Sequence, residues 1–428
     1  MMRPIAVLST LRANLEMELA GRGHEVISLV PRAVAARRAA QDFETIAVDR
    51  WDDYTELHNV AGTLELRGVV DIVTTDERCL RAAAFLRAEL GLAGLGFEQA
   101  IAFTDKAVMK RQLGNHGVPV ASCEVVHDLD GVEAAAERVT WPVVVKPRTG
   151  FSAINTFVIR DKDHLAALRT TGVFDRPPQA GALHPALSAT DGLGALSESP
   201  RGFLVENYVD VAAEYHCEYL TFAGEEVYCL PFRYPDPLLR TDLETIGSVH
   251  LSLTSTEAHE VQALTRAAAH ALGLENGFAH AEVFRLADGR WLLGEIGARP
   301  GGAQVPKIMA HQYGLDVNRL MGDVALGKRP NVVIDEGGRS VAWVSIPAPL
   351  GRVISVTPPQ ELRALPGVID VVMELAVGDE ATGHFGSLLY AGHVFCAGPS
   401  TDEALKLAVR AATHCKIKTL SMGVNANA

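Results

Sequence analysis

The stretch Trp291-Leu292-Leu293-Gly294-Glu295-Ile296-Gly297-Ala298-Arg299-Pro300-Gly301-Gly302 constrains this chain more than any other, because the apolar run Ala279-His280-Ala281-Glu282-Val283-Phe284 precedes it. Asp288-Gly289 between the two runs is a hairpin turn signal, so the runs are expected to pair as antiparallel strands. Each carries one acid, Glu282 or Glu295. Charged side chains rarely face a core unless paired or metal-bound, although strand alternation leaves a solvated face open to both. Carboxylates on adjacent strands suit Mg²⁺, which takes oxygen ligands and shares them with phosphates, and a neighbouring arginine can grip a phosphoryl oxygen bidentately. Two acids, Arg299 and a Gly-Gly turn at one spot point to phosphoryl chemistry on a nucleotide.

At 428 residues the chain exceeds what a single core normally supports, so about two to four domains are expected. The net charge of −13 argues against a nucleic-acid partner, which rewards clustered Lys and Arg. No apolar run is long enough to span a bilayer, and no signal-peptide pattern opens the sequence, so a cytoplasmic protein without membrane association is expected. The six cysteines lack CxxC spacing, which leaves them as buried free thiols.

Along the chain, apolar runs at 4–9 and 25–30 flank a helical pattern, with a further strand at 68–74 and a helix from Cys79 to Leu90. Strand, helix, strand is the opening of a parallel α/β layer. Its first turn, Ser9-Thr10-Leu11-Arg12-Ala13-Asn14, has no glycine fingerprint for a dinucleotide. A helix is predicted from Asp105 to His116, and Trp141 to Pro147 reads as a strand closed by Lys146. A run of strands follows at 203–206, 214–222, 226–231, 278–286 and 291–296, with a helix at 257–272 among them. Residues 175–202, rich in Pro, Gly, Ser and Ala, exceed the usual loop length and form either a lid or a disordered insertion. From Arg339 onward, short strands and a helix from Asp402 to Cys415 suggest a separate α+β module.

Taken singly, the remaining candidates are ambiguous. Lys146 at a strand end can reach over a phosphate as a point charge, or it is a solvated lysine in a sequence that is not a Walker A loop. Val205-Glu206-Asn207-Tyr208-Val209 can present backbone groups to the edge of a base, with Glu214 beyond it for ribose hydroxyls, but acids near a strand end are commonly just solvated. His280 shares a face with Glu282, and a lone histidine is more often structural than a ligand.

Taken together and in order, Thr104-Asp105-Lys106, Val143-Val144-Val145-Lys146-Pro147, Val205 to Val209, Glu214, His280-Ala281-Glu282 and Glu295 to Gly302 resemble the ATP-grasp carboxylate–amine ligases. Gly386 to Phe395 and its surroundings resemble the C-terminal module of L-amino acid ligases. The resemblance implies a multidomain α/β and α+β fold. A preATP-grasp α/β layer would span 1–100, a two-lobed ATP-grasp core 101–330 with its nucleotide lobe at about 101–209 and its metal lobe at about 210–330, and an L-amino acid ligase-like module 331–428. It further implies that Lys106 and Lys146 contact ATP phosphates, that Glu206 meets the adenine amino group with the backbone at Tyr208 and Val209 along the ring edge, and that Glu214 meets ribose. Glu282 and Glu295 would hold Mg²⁺, and Arg299 with Lys146 would act on the transferring phosphoryl. Many members carry Asn two residues after the second acid; Gly297 stands there in this chain and supplies no side-chain ligand.

The implied reaction is amide formation through an acyl phosphate, with release of ADP and phosphate. Amino acids or small peptides are the expected substrates and a homodimer the expected assembly. A ligase acting on a central-metabolism carboxylate and a non-catalytic ATP-binding sensor are the alternatives.

Overall fold

The computed structural model describes residues 3–177, 196–198, 201–239, 246–382 and 390–420. Most of the expected insertion at 175–202 lies outside the described residues, as does the stretch from Gly386 to Leu389.

The N-terminal layer contains β1 (Ile5–Leu8), β2 (Val26–Pro31), β3 (Glu44–Val48) and β4 (Asp71–Val73), in the order β3-β2-β1-β4. All pairings are parallel. β1 and β2 are buried along their whole length, as continuous apolar runs are when helices cover both sheet faces. The connection to β2 and β3 runs to one side of β1 and that to β4 to the other. The C-terminal ends of β1 and β4 therefore flank a switch point, the place where open α/β sheets gather ligands. Residues 74–78 lie there, with Asp76 Oδ2 accepting from the Thr10 N–H at 3.1 Å.

A second sheet holds β5 (Cys123–Val126), β6 (Val143–Pro147), β7 (Phe157–Ile159) and β8 (Phe203–Asn207), all antiparallel in the order β5-β8-β6-β7. Val143 and Val145 of β6 enter its core, and alternation turns Lys146 the other way. The helix Lys106–Asn115 begins at Asp105, whose carboxylate accepts from the N–H groups of Ala107 and Val108, a cap contributing about 1 kcal/mol. Asp105 also pairs with Arg148 at 2.6 Å, and the Lys106 N–H donates to Arg148 O at 2.8 Å. These bonds tie the start of the helix to the turn after β6.

The third sheet is built on β9 (Val211–Phe222), β10 (Glu225–Arg233), β11 (Gly247–His250), β12 (Gly277–Leu286) and β13 (Trp291–Gly297), and the helix Thr256–Ala271 packs across β9, β10, β12 and β13. The C-terminal segment adds β14 (Ser340–Ile346), β15 (Leu350–Val356), β16 (Val368–Met373), β17 (Glu380–Thr382), β18 (Gly392–Gly398) and β19 (Ile417–Leu420). β14 pairs with the free edge of β11, and the result is one eight-stranded sheet in the order β13-β12-β9-β10-β11-β14-β18-β16. The C-terminal segment is thus not set apart from the core as its sequence suggests. Its main strands complete an edge that would otherwise expose unpaired backbone groups. Only β15, β17 and β19 form a small sheet of their own.

Five of the six cysteines are buried free thiols and Cys123 is half-buried. No helix among the described residues is long and apolar enough to cross a membrane. The half-exposed strand β3 escapes the sequence reading because its burial pattern is weak.

Candidate active site

β12 and β13 are joined through Asp288-Gly289, and near the turn Arg285, Phe284 and Val283 face Trp291, Leu292 and Leu293. Continued without interruption, that register would set Glu282 opposite Gly294 and turn Glu295 to the other face of the sheet. A bulge between Glu282 and Val283 shifts the register by one residue, so that Glu282 lies opposite Glu295. A one-residue slip reverses every side chain beyond it, and here it brings both acids to one face. Gly294 is the residue left over, and a Cβ there would lie 2.5 Å from Phe284 Cζ.

That face borders a cavity of about 810 Å³ between the N-terminal layer, the second sheet and the third. Lys106, Lys146, Glu206, Tyr208, Val209, Glu214, Glu282, Glu295 and Arg299 all line it. The structure therefore brings together every site residue singled out in the sequence.

Their partners differ in part from expectation. Lys106 Nζ donates to Glu295 Oε1 at 2.7 Å and to Gly150 O at 2.9 Å. Burial would raise the Glu295 carboxyl, but Lys106 and Lys146 outweigh it and hold the group below its usual range. Glu282 is pushed up by burial and by the charge of Glu295. Burial and the charge of Glu282 carry Glu214 up to about 8, and its Oε2 accepts from the Leu238 N–H at 2.7 Å. Two half-buried carboxylates in register, with the buried Glu214 close by, form an oxygen-rich donor set in which Glu295 alone has a lysine partner at 2.7 Å. Its chemistry fits a hard divalent cation such as Mg²⁺, which Glu282 and Glu295 would hold.

Glu206 has partners that the sequence did not suggest. Its buried carboxylate lies 2.9 Å from Lys146 Nζ and 3.4 Å from Lys110 Nζ. The Tyr208 N–H is also taken, donating to Pro142 O at 2.8 Å. What this strand end offers a ring edge is the Tyr208 carbonyl and the backbone of Val209.

Two residues not identified from the sequence complete the site. Glu77, at the switch point of the N-terminal sheet, accepts from Arg299 Nε at 2.7 Å. A Cβ on Gly297 would sit 2.8 Å from Glu77 Oε2, so the missing side chain is what admits this carboxylate. Glu218 is buried beneath the Gly-Gly turn. It accepts from the Gly301 N–H at 2.8 Å and bonds His216 Nδ1 at 2.9 Å and His280 Nδ1 at 2.6 Å. These three side chains are the described group whose atoms are spaced to hold a metal; their mutual hydrogen bonds use Nδ1 of each ring, and His216 Nε2 is buried without a hydrogen-bond partner among the described residues. With His216, His280 holds the Glu218 carboxyl well below its usual range despite burial. The position of Glu77 just past a parallel strand was the signal that could have exposed it.

Residues 344–419 match the family described as L-amino acid ligase C-terminal domain 2. An L-arginine-specific L-amino acid ligase from Bacillus subtilis is 29% identical over 308 residues, which cover 72% of this chain and 70% of that protein. The crystal structure of an L-amino acid ligase from Bacillus licheniformis superposes with a TM-score of 0.71 at 18% identity, covering 98% of this chain and 99% of that one. The chain is similar in sequence to an L-amino acid ligase over 72% of its length and shares its fold with another. N5-carboxyaminoimidazole ribonucleotide synthetase from Thermotoga maritima shares the fold, with a TM-score of 0.68 at 16% identity over 98% of this chain and all of that one. The matched C-terminal domain begins within β14, the strand that docks onto the core sheet.

Proposed function

We propose that this protein uses Mg·ATP to activate the carboxylate of an amino acid or small peptide and joins it to the amine of a second one. The observation that carries the reading is Glu282 and Glu295 in register on one face of a cleft that also holds Lys106, Lys146 and Arg299. Mg²⁺, when bound by the two acids, supplies charge neutralisation on the phosphates. Lys106 and Lys146 orient the phosphates as point charges, and the planar guanidinium of Arg299 meets the oxygens of the phosphoryl group in transit. A donor carboxylate oxygen attacks the γ-phosphorus, the bond to the bridging oxygen breaks, and ADP departs. The amine nitrogen then attacks the acyl carbon, phosphate leaves with the bonding pair, and the amine proton passes to solvent. Positioning and electrostatics do the work, and no protein nucleophile is needed.

The test is ADP and phosphate release from Mg·ATP across single and paired L-amino acids, with mass spectrometry of the products. Pair-dependent release with a product lighter than the pair by one water is expected. Binding of Mg·ATP without release for any pair would overturn this reading in favour of a sensor, the alternative that Gly297 motivates. We further propose a cytoplasmic homodimer, which sedimentation velocity and fractionation would check.

A further inference from the structure

The eight-stranded sheet shows one continuous face to the cleft. Cross-strand pairing and strand alternation carry that face from Glu282 through His216, Phe232, His250 and its same-face neighbour Ser248 to Trp343 and then Phe395 of β18. Its two ends differ in chemistry. The β12–β13 end holds the carboxylates and faces the lysines. The β14–β18 end is lined by Trp343, Tyr390, His393, Ile246 and Met321, which, His393 apart, belong to one apolar cluster.

This second end is built rather than merely greasy. Trp343 Nε1 donates to Ser248 Oγ at 2.9 Å in a buried bond that fixes the indole. The His393 ring meets Trp343 edge-on at 5.5 Å and Tyr390 at 6.0 Å. His393 is 7% exposed, lines the cleft, and its Nδ1 has no hydrogen-bond partner among the described residues. A buried ring nitrogen left unpaired is costly unless a ligand or water meets it. Burial and the nearby charge of Lys307 keep the imidazole neutral, at about 4. The charged groups near this end are Lys307, which pairs at 3.6 Å with the half-exposed Asp370, and Glu374, an exposed carboxylate on the cleft lining. No buried counter-charge for an ionised side chain is found here among the described residues.

We propose that the compartment between Trp343, Tyr390 and His393 receives the side chain of an amino-acid substrate, and that this side chain is large, neutral and mainly apolar, of the aromatic or branched aliphatic class. The assignment rests on the ligase reading for its substrates but not for its test. An apolar wall rewards each buried methylene and rejects an ion that must shed water without a partner, so selection is by size and neutrality. The buried ring nitrogen His393 Nδ1 tolerates one neutral polar group at the tip.

The experiment is calorimetric titration of L-phenylalanine, L-leucine, L-alanine, L-arginine and L-glutamate into the full chain loaded with Mg²⁺ and a non-hydrolysable ATP analogue. Phenylalanine or leucine is expected to bind at least about tenfold more tightly than alanine, arginine or glutamate. Trp343→Leu, with Tyr390→Ala as a second variant should the first not fold, is expected to reduce that ratio severalfold. Tightest binding by arginine, glutamate or alanine, or a ratio unmoved in a folded variant, overturns the assignment. Phosphate release is measured in parallel and decides the ligase reading separately, so a failed preference with turnover intact sinks only this inference.

Discussion

Arg299 is held from outside its own sheet. Its Nε donates to Glu77 of the N-terminal layer, and that carboxylate occupies the space beside Gly297. Displacing a charge-neutralising group by about 1 Å can cost on the order of a hundredfold in rate, so Glu77→Gln is expected to lower kcat by at least about tenfold with a smaller effect on KM. Gly297→Asn should reproduce that loss by forcing the carboxylate away, and steady-state phosphate release on both variants checks the link. Glu295→Gln should abolish pair-dependent phosphate release, with circular dichroism unchanged. It removes a cation ligand and strips Lys106 of its partner at 2.7 Å. His393 gives a pH signature. Its pKa falls to about 4 in the fold from an ordinary value near 6.5, so its contribution to stability is present above about pH 6.5 and is lost as pH falls towards 4. At about 1.4 kcal/mol per unit, wild type should lose roughly 2 kcal/mol more than His393→Gln between pH 7 and 5, read from paired denaturation curves.

Among the elements, long periodic segments were legible and short ones were not. The helix Thr256–Ala271 and the strands β9, β10, β12 and β13 all fall where alternation and alanine-rich periodicity predict them. β11 carries only Gly247 to His250 and is defined by its neighbours rather than by its own pattern. The β12–β13 bulge belongs to this scale too. Because a Cβ at Gly294 would press on the Phe284 ring, Gly294→Val is expected to destabilise the protein by about 1–3 kcal/mol, seen as a lower urea midpoint. An unchanged midpoint would mean that the ring shifts freely and the glycine is not required there.

For the whole molecule, the decisive fact is that the C-terminal segment finishes the core sheet. Ending the chain after Arg339 would expose the β11 edge together with the partners of Val341, Trp343 and Phe395 in the apolar cluster. Such an edge invites association, so the truncated protein is expected to aggregate on size-exclusion chromatography, whereas a monodisperse product would show that residues 3–339 fold alone. The sequence by itself determined the order of elements, the hairpin at Asp288-Gly289 and the residue types of the cleft, because turn chemistry and periodicity are local properties. Glu282, Glu295 and Arg299 were identified in this way, whereas Lys106 and the role of Lys146 came from the ordered resemblance to ATP-grasp ligases. Only the tertiary structure decided which face Glu295 takes, that Glu206 meets Lys110 and Lys146, that Glu77 grips Arg299, and that β14 joins β11. Each of these depends on register or on contacts between residues far apart in the chain, and a one-residue slip or a distant carboxylate leaves no mark on local pattern.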